Sequence, residues 1–192
     1  MNGTYSQKTV SKPFPTEWTL GWFEALLLIG SGVTAVVMHR ALDMSLGLPG
    51  HHGIEWMALM IIGRISSRFR GAGTLTGVGA SLASTIPFLQ GGNPYTWLFY
   101  LLPGLVMDLA FRYLPNLTTK VWFLVLLGGL AHMTKPIGQL TVNLITGFPF
   151  GSFRFGILYP FAGHLLFGMI GGLLGALIVL GIRRYSKNSQ SQ

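Results

Sequence analysis

The chain has 192 residues, of which 50% are hydrophobic and 9% charged, with a net charge of +8 and no cysteine. Soluble domains devote roughly a quarter of their residues to charge, so this composition excludes a fully water-facing surface and makes lipid the solvent for most of it. Without cysteine there are no disulfides, thiolate metal ligands or cysteine nucleophile.

A spanning helix needs about 20 mostly apolar residues. Residues 1–18 are polar and lack the charged, then apolar, then small-residue layout of a cleaved signal, so they read as a cytoplasmic segment before a retained first span. That span runs from Leu20 to about Leu42 and is followed by the Gly/Pro/His loop from Leu46 to Gly53. The second candidate, Ile54 to Ile65, is short and needs tilt, bilayer thinning or cover from neighbours. The third runs from about Gly71 to Leu89, and the fourth from Tyr95 to Tyr113. The fifth is long, about Lys120 to Ile145, with an interruption at Lys135-Pro136. The sixth runs from about Phe155 to Ile182 and ends in Arg183-Arg184, leaving 185–192 as a tail. The fold expected is an all-α integral membrane protein, a six-helix bundle over residues 19–184, with no linker and no internal repeat.

Lysine and arginine report orientation. With six spans and the N-terminus inside, Lys8, Lys12, Arg64, Arg68, Arg70, Arg112, Lys120, Arg183, Arg184 and Lys187 fall on the cytoplasmic side. Arg40 and Arg154 fall outside, and Lys135 falls within a span. This ten-to-two asymmetry places both termini in the cytoplasm of a multi-pass protein of the cell membrane. It also explains the basic excess without a nucleic-acid partner, since the cations are scattered between apolar runs.

The same threading gathers the remaining polar groups. His39 and Arg40 end the first helix on the outer side, and Asp43, His51, His52 and Glu55 follow in or near the loop. Lys135 falls in the outer half of the fifth helix, with His132 about one turn deeper and His164 at a similar depth on the sixth. For a single arginine or histidine, snorkelling or a bond to a neighbouring helix is the plain reading. An ionisable group inside a span is costly and marks function, and Pro136 frees a carbonyl beside it. Arg40, His51, His52, Lys135 and Arg154 together suggest an outward pocket for a carboxylate or other anion. Glu55, Trp56 and Asn143 complete the expected lining. The segment Phe148 to Arg154, with Tyr159, Trp56 and Trp97, forms either an interfacial belt or stacking walls.

Catalysis is not expected: no nucleophile motif, nucleotide-binding loop or HExxH sequence occurs. Glu24 and Asp108, in the inner half, are expected to pair with inner arginines. His51-His-Gly-Ile-Glu55 has metal-ligating residue types, but adjacent histidines diverge on a helix, so no metal is expected. A rival reading is a haem b subunit of a respiratory complex, with His132 and His164 as axial ligands, or a structural subunit of such a complex. Small-residue spacings, Gly21-x-x-x-Ala25, Ser31-x-x-x-Ala35, Gly168-x-x-x-Gly172 and Gly171-x-x-x-Gly175, serve internal packing or a docking face.

Trp56-Met-Ala-Leu-Met-Ile-Ile-Gly-Arg64, Gly71-Ala-Gly-Thr-Leu-Thr-Gly77 and Tyr100-Leu-Leu-Pro-Gly-Leu-Val-Met-Asp108 resemble, in their layout of glycines and polar punctuation, the middle of the substrate-binding S components of energy-coupling factor (ECF) transporters. The resemblance extends over about two-thirds of the chain. It implies a non-catalytic uptake subunit that captures a vitamin-like nutrient outside and closes its first external loop over it. It also implies partners: a transmembrane coupling subunit and two cytoplasmic ATPases. That family docks through Ala-x-x-x-Ala on the first helix, for which Gly21 and Ala25 are the nearest match here. Its nickel and cobalt branch begins Met-His, whereas this sequence begins Met1-Asn2, which argues against metal uptake.

Overall fold

The structure, a computed structural model, describes residues 18–42, 48–89 and 93–189. The N-terminal segment with Lys8 and Lys12, and Asp43 in the first loop, lie outside the described residues, as do the side chains of Arg184 and Lys187. Among the described residues there are six α-helices and no strand: α1 (Trp22–Ala41), α2 (Gly53–Ser66), α3 (Ala72–Ser84), α4 (Thr96–Tyr113), α5 (Val121–Thr146) and α6 (Leu158–Ser189). Short 3-10 turns at Pro115–Leu117 and Gly151–Phe153 precede α5 and α6.

Local chemistry sets most boundaries. α3 stops at Ser84, short of Leu89, because Pro87 disfavours helical backbone at the residue before it. Gly147 ends α5 in the left-handed region at φ 72°, its N–H donating to the Asn143 carbonyl. Lys135-Pro136 does not interrupt α5, which runs through 26 residues with Pro136 buried on its packed side. α6 starts at Leu158 rather than Phe155, because Gly156 takes φ +91°, outside helical backbone. It then continues to Ser189, since neither glycine nor proline occurs beyond Gly181 to stop it.

Three helices, α1, α5 and α6 over Leu158–Arg183, are long and apolar enough to cross a membrane. Exposure follows the same logic: Trp22, Leu26, Trp122, Leu130, Leu166 and Leu177 face outward, while Glu55, Arg64, His132, Gln139 and His164 are buried. These polar groups lie within a core that is itself largely hydrophobic, so it is the breadth of exposed apolar side chains that marks a membrane protein. α2 and α3, with 14 and 13 residues, are shorter than a span. α2 touches each of the other five helices and is sheltered by them.

Glycine sets how closely the helices approach. A Cβ on Gly168 or Gly172 would collide with α5 backbone at Gly128 and Leu124, and one on Gly171 or Gly175 with α2 backbone at Gly53 and Ala58. The two overlapping Gly-x-x-x-Gly runs of α6 therefore serve two different neighbours, both internal. On α1, Gly32 meets Thr76 of α3 in the same way, whereas Gly21 has nothing within 4 Å of its Cβ position.

Both ends of the described chain lie at one end of the bundle. The Arg70 guanidinium sits 5.0 Å from the Trp18 ring, and Arg183 donates to the Ile65 carbonyl at 3.1 Å. At that end Arg64 and Asp108 pair at 2.9 Å. Asp108 also accepts the Gly73 and Thr74 N–H groups and the Thr74 hydroxyl, so it closes the first turn of α3 from α4. Glu24 instead accepts the Ser67 hydroxyl at 2.6 Å.

Candidate functional site

The opposite end of the bundle collects the histidines. His39 lies four residues after Ala35 and three after Val36, both 1% exposed, so helical periodicity turns it inward. Its ring lies 3.6 Å from that of His52, and the His51 ring lies 3.8 Å from that of His52. His51 and His52 do not diverge, because both precede α2 in a turn rather than lying on the helix. His52 Nδ1 is 2.9 Å from Glu55 Oε1, one turn along. Deeper in, His132 and His164 place their rings 4.6 Å apart, with His132 Nδ1 donating to the His164 carbonyl at 3.1 Å.

Lys135 organises this end. His132, Lys135 and Gln139 recur at helical spacing and form one polar stripe on α5. Lys135 is a shared wall of three adjoining cavities. The innermost, of about 20 Å³, is lined by His39, His52, Trp56, Tyr100 and His132 among others. A second, of about 170 Å³, adds Arg40, Asn93 and Gln139. A third, of about 280 Å³, lies between Lys135, Pro49, Ser152, Tyr159 and His164. Lys135 makes no hydrogen bond among the described residues, while Gln139 accepts one from Ser152 Oγ at 2.8 Å. Aromatic rings line the same space: Trp56 meets Tyr100 edge-on at 5.1 Å, and Phe99 meets Phe150 at 5.8 Å.

The loop ahead of α2 is seated tightly over these cavities. A Cβ on Gly53 would strike the His132 ring, one on Gly50 the His164 backbone, and one on Gly163 the Pro49 carbonyl. Only glycine at these contacts lets the loop close this near to α5 and α6.

Of the residues expected from sequence, the structure brings together Arg40, His51, His52, Glu55, Trp56 and Lys135. Arg154 stays apart: it is exposed, 5.7 Å from the Phe155 ring, because the turn before α6 carries it outward. Asn143 serves the backbone, its Nδ2 donating to the Phe148 carbonyl at 2.8 Å. Trp97 is exposed and lines none of the three cavities. Gly21 is exposed and Ala25 half-buried at the far end of α1. Sequence reading passed over His39, Gln139, Phe99 and Tyr100, although the spacing of His39 from Ala35 and of Gln139 from Lys135 carried the signal.

His132 and His164 do not suit a haem. Two axial ligands must be separated by the macrocycle and its iron, but these rings pack against each other and leave no such gap. A cavity of about 390 Å³ at the other end is larger, yet its central groups, Arg64 and Asp108, are already engaged with each other as an ion pair at 2.9 Å. No known protein family, curated protein or solved structure matches this chain.

Proposed function

We propose that this is a six-span protein of the cell membrane, with both termini in the cytoplasm, that captures a small organic anion from outside. In this reading it is the non-catalytic substrate-binding subunit of an ECF-type importer. The observation that carries the proposal is the convergence of three cavities on Lys135 beneath a closely seated loop. An amine without a hydrogen bond, aromatic walls and a few polar groups are what a pocket needs to orient a flat, anionic, vitamin-like ligand. The Arg64–Asp108 end carries the basic residues expected on the cytoplasmic side. Energy would come from a transmembrane coupling subunit and two ATPases. The open Gly21 position, with Ala25 a turn away, is the proposed docking point for the coupling subunit.

Native mass spectrometry of detergent-purified protein is expected to release a stoichiometric small organic anion. Protein that releases none, even when purified from cells in rich medium, removes the support for capture.

Orientation has an independent test, because the chain is free of cysteine. Gly151→Cys, at an exposed position in the turn before α6, is expected to react with a membrane-impermeant maleimide in intact cells. Asn116→Cys, exposed in the turn before α5, is expected to react only after permeabilisation. The opposite labelling pattern inverts the topology and places the Lys135 cavities inside the cell.

A further inference from the structure

His39 and His52, two walls of the 20 Å³ cavity, stand with Glu55 in a set of donors that anion capture alone does not require. His39 of α1, His52 before α2 and Glu55 of α2 each offer one ligand atom, and these atoms all lie within 4.8 Å of one another. Nδ1 of His52 and Oε1 of Glu55, at 2.9 Å, mark an edge that two metal bonds of about 2.0–2.2 Å can span. His51, stacked on His52, keeps its Nε2 buried without a hydrogen-bond partner, an unusual cost beside an already polar cluster.

We propose that His39, His52 and Glu55 bind a divalent first-row transition ion and leave one coordination position open toward the Lys135 cavity. Two imidazoles and one carboxylate form the three-ligand set that zinc takes when its fourth position is kept for another group. The same nitrogen and oxygen donors accept cobalt and nickel, whereas soft ions that depend on thiolates have no cysteine here. Magnesium and calcium prefer all-oxygen sets and are disfavoured.

Charge balance selects the occupant of the open position. Glu55 offsets one of the two metal charges, so the site remains positive beside Lys135. His39 and Lys135 also share the 170 Å³ cavity, so a carboxylate or phosphate entering it can ligate the metal and pair with the amine at once. This last step rests on the capture reading, whereas the metal site itself does not.

The test uses tag-free, chelator-treated full-length protein in detergent, titrated with Co²⁺ alone and then with Zn²⁺. One equivalent of Co²⁺ is expected to bind with visible d–d absorption, and Zn²⁺ to displace it. His39→Ala, His52→Ala and Glu55→Gln are each expected to weaken Co²⁺ binding by at least about tenfold. Their thermal unfolding without metal checks that each is folded. Should a variant fail to fold, X-ray absorption of the wild-type zinc protein provides the readout, with two imidazoles and no sulfur expected in the first shell. Absence of stoichiometric Co²⁺ binding, undiminished binding in folded variants, or a first shell without imidazole overturns the site. Retention of an organic anion with undiminished affinity by metal-free protein overturns the ligation of that anion by the metal and leaves the metal site standing. Metal binding without any retained anion overturns capture alone.

Discussion

Replacing Lys135 with alanine is expected to weaken retention of the captured anion by about two to three orders of magnitude, with the fold intact. Removing one partner of a desolvated charge pair costs about 2–5 kcal/mol, and each 1.4 kcal/mol is roughly tenfold in affinity. Lys135 borders all three cavities, so no neighbouring amine takes over its position. Arg40 lines the 170 Å³ cavity but is exposed, where water screens its charge. Lys135 makes no hydrogen bond among the described residues, and Glu55, whose charge attracts it, keeps its contact with His52, so thermal unfolding should change little. The measurement is rebinding of the compound released by wild-type protein to ligand-stripped wild type, Lys135→Ala and Lys135→Arg. Lysine to arginine keeps the charge and should recover part of the loss. A Lys135→Ala protein that rebinds the compound as tightly as wild type would remove the centre of the proposed site.

Asp108→Ala is expected to destabilise the fold by about 3–5 kcal/mol, the usual cost of breaking a buried ion pair from one side. Arg64 has a side chain only 2% exposed and lies 4.2 Å from the centroid of the Phe111 ring, so loss of its partner leaves a largely buried charge without its counter-ion. The first-turn N–H groups of Gly73 and Thr74 lose their acceptor at the same time. The paired replacement Arg64→Met with Asp108→Leu should recover much of this loss, because an apolar pair of similar volume leaves no stranded charge. Thermal unfolding of the singles and the double in one detergent separates the two cases. Since this pair lies at the end away from Lys135, anion retention per folded molecule should be unchanged. If Asp108→Ala proves as stable as wild type, the ion pair is not holding α2, α3 and α4 together.

Much of the candidate site follows from local spacing. His132, Lys135 and Gln139 share one face of α5 because they recur every three or four residues, and His39 faces inward because it follows Ala35 by one helical turn. What spacing misled about is equally local. Adjacent histidines diverge on a helix, but His51 and His52 sit in the turn before one, and their rings come together. Arg154 groups with Arg40 and Lys135 by its position along the chain, yet it is exposed beside Phe155 and lines none of the three cavities.

From the sequence alone the chain is expected to build six apolar spans with its costly polar groups toward one end; six helices form, and three of them are long and apolar enough to cross a membrane. Those properties follow from composition and from a helical period of 3.6 residues, which any stretch of chain carries within itself. Only the tertiary structure decided that α2 sits among the other five helices and that α6 uses one glycine face for α5 and another for α2. It alone brought His39 against His52, and Lys135 to the meeting point of three cavities. The reason is physical: a side chain's direction on its helix is a local property, whereas its neighbours depend on how closely backbones can approach, and here that distance is set by glycines far apart in the chain.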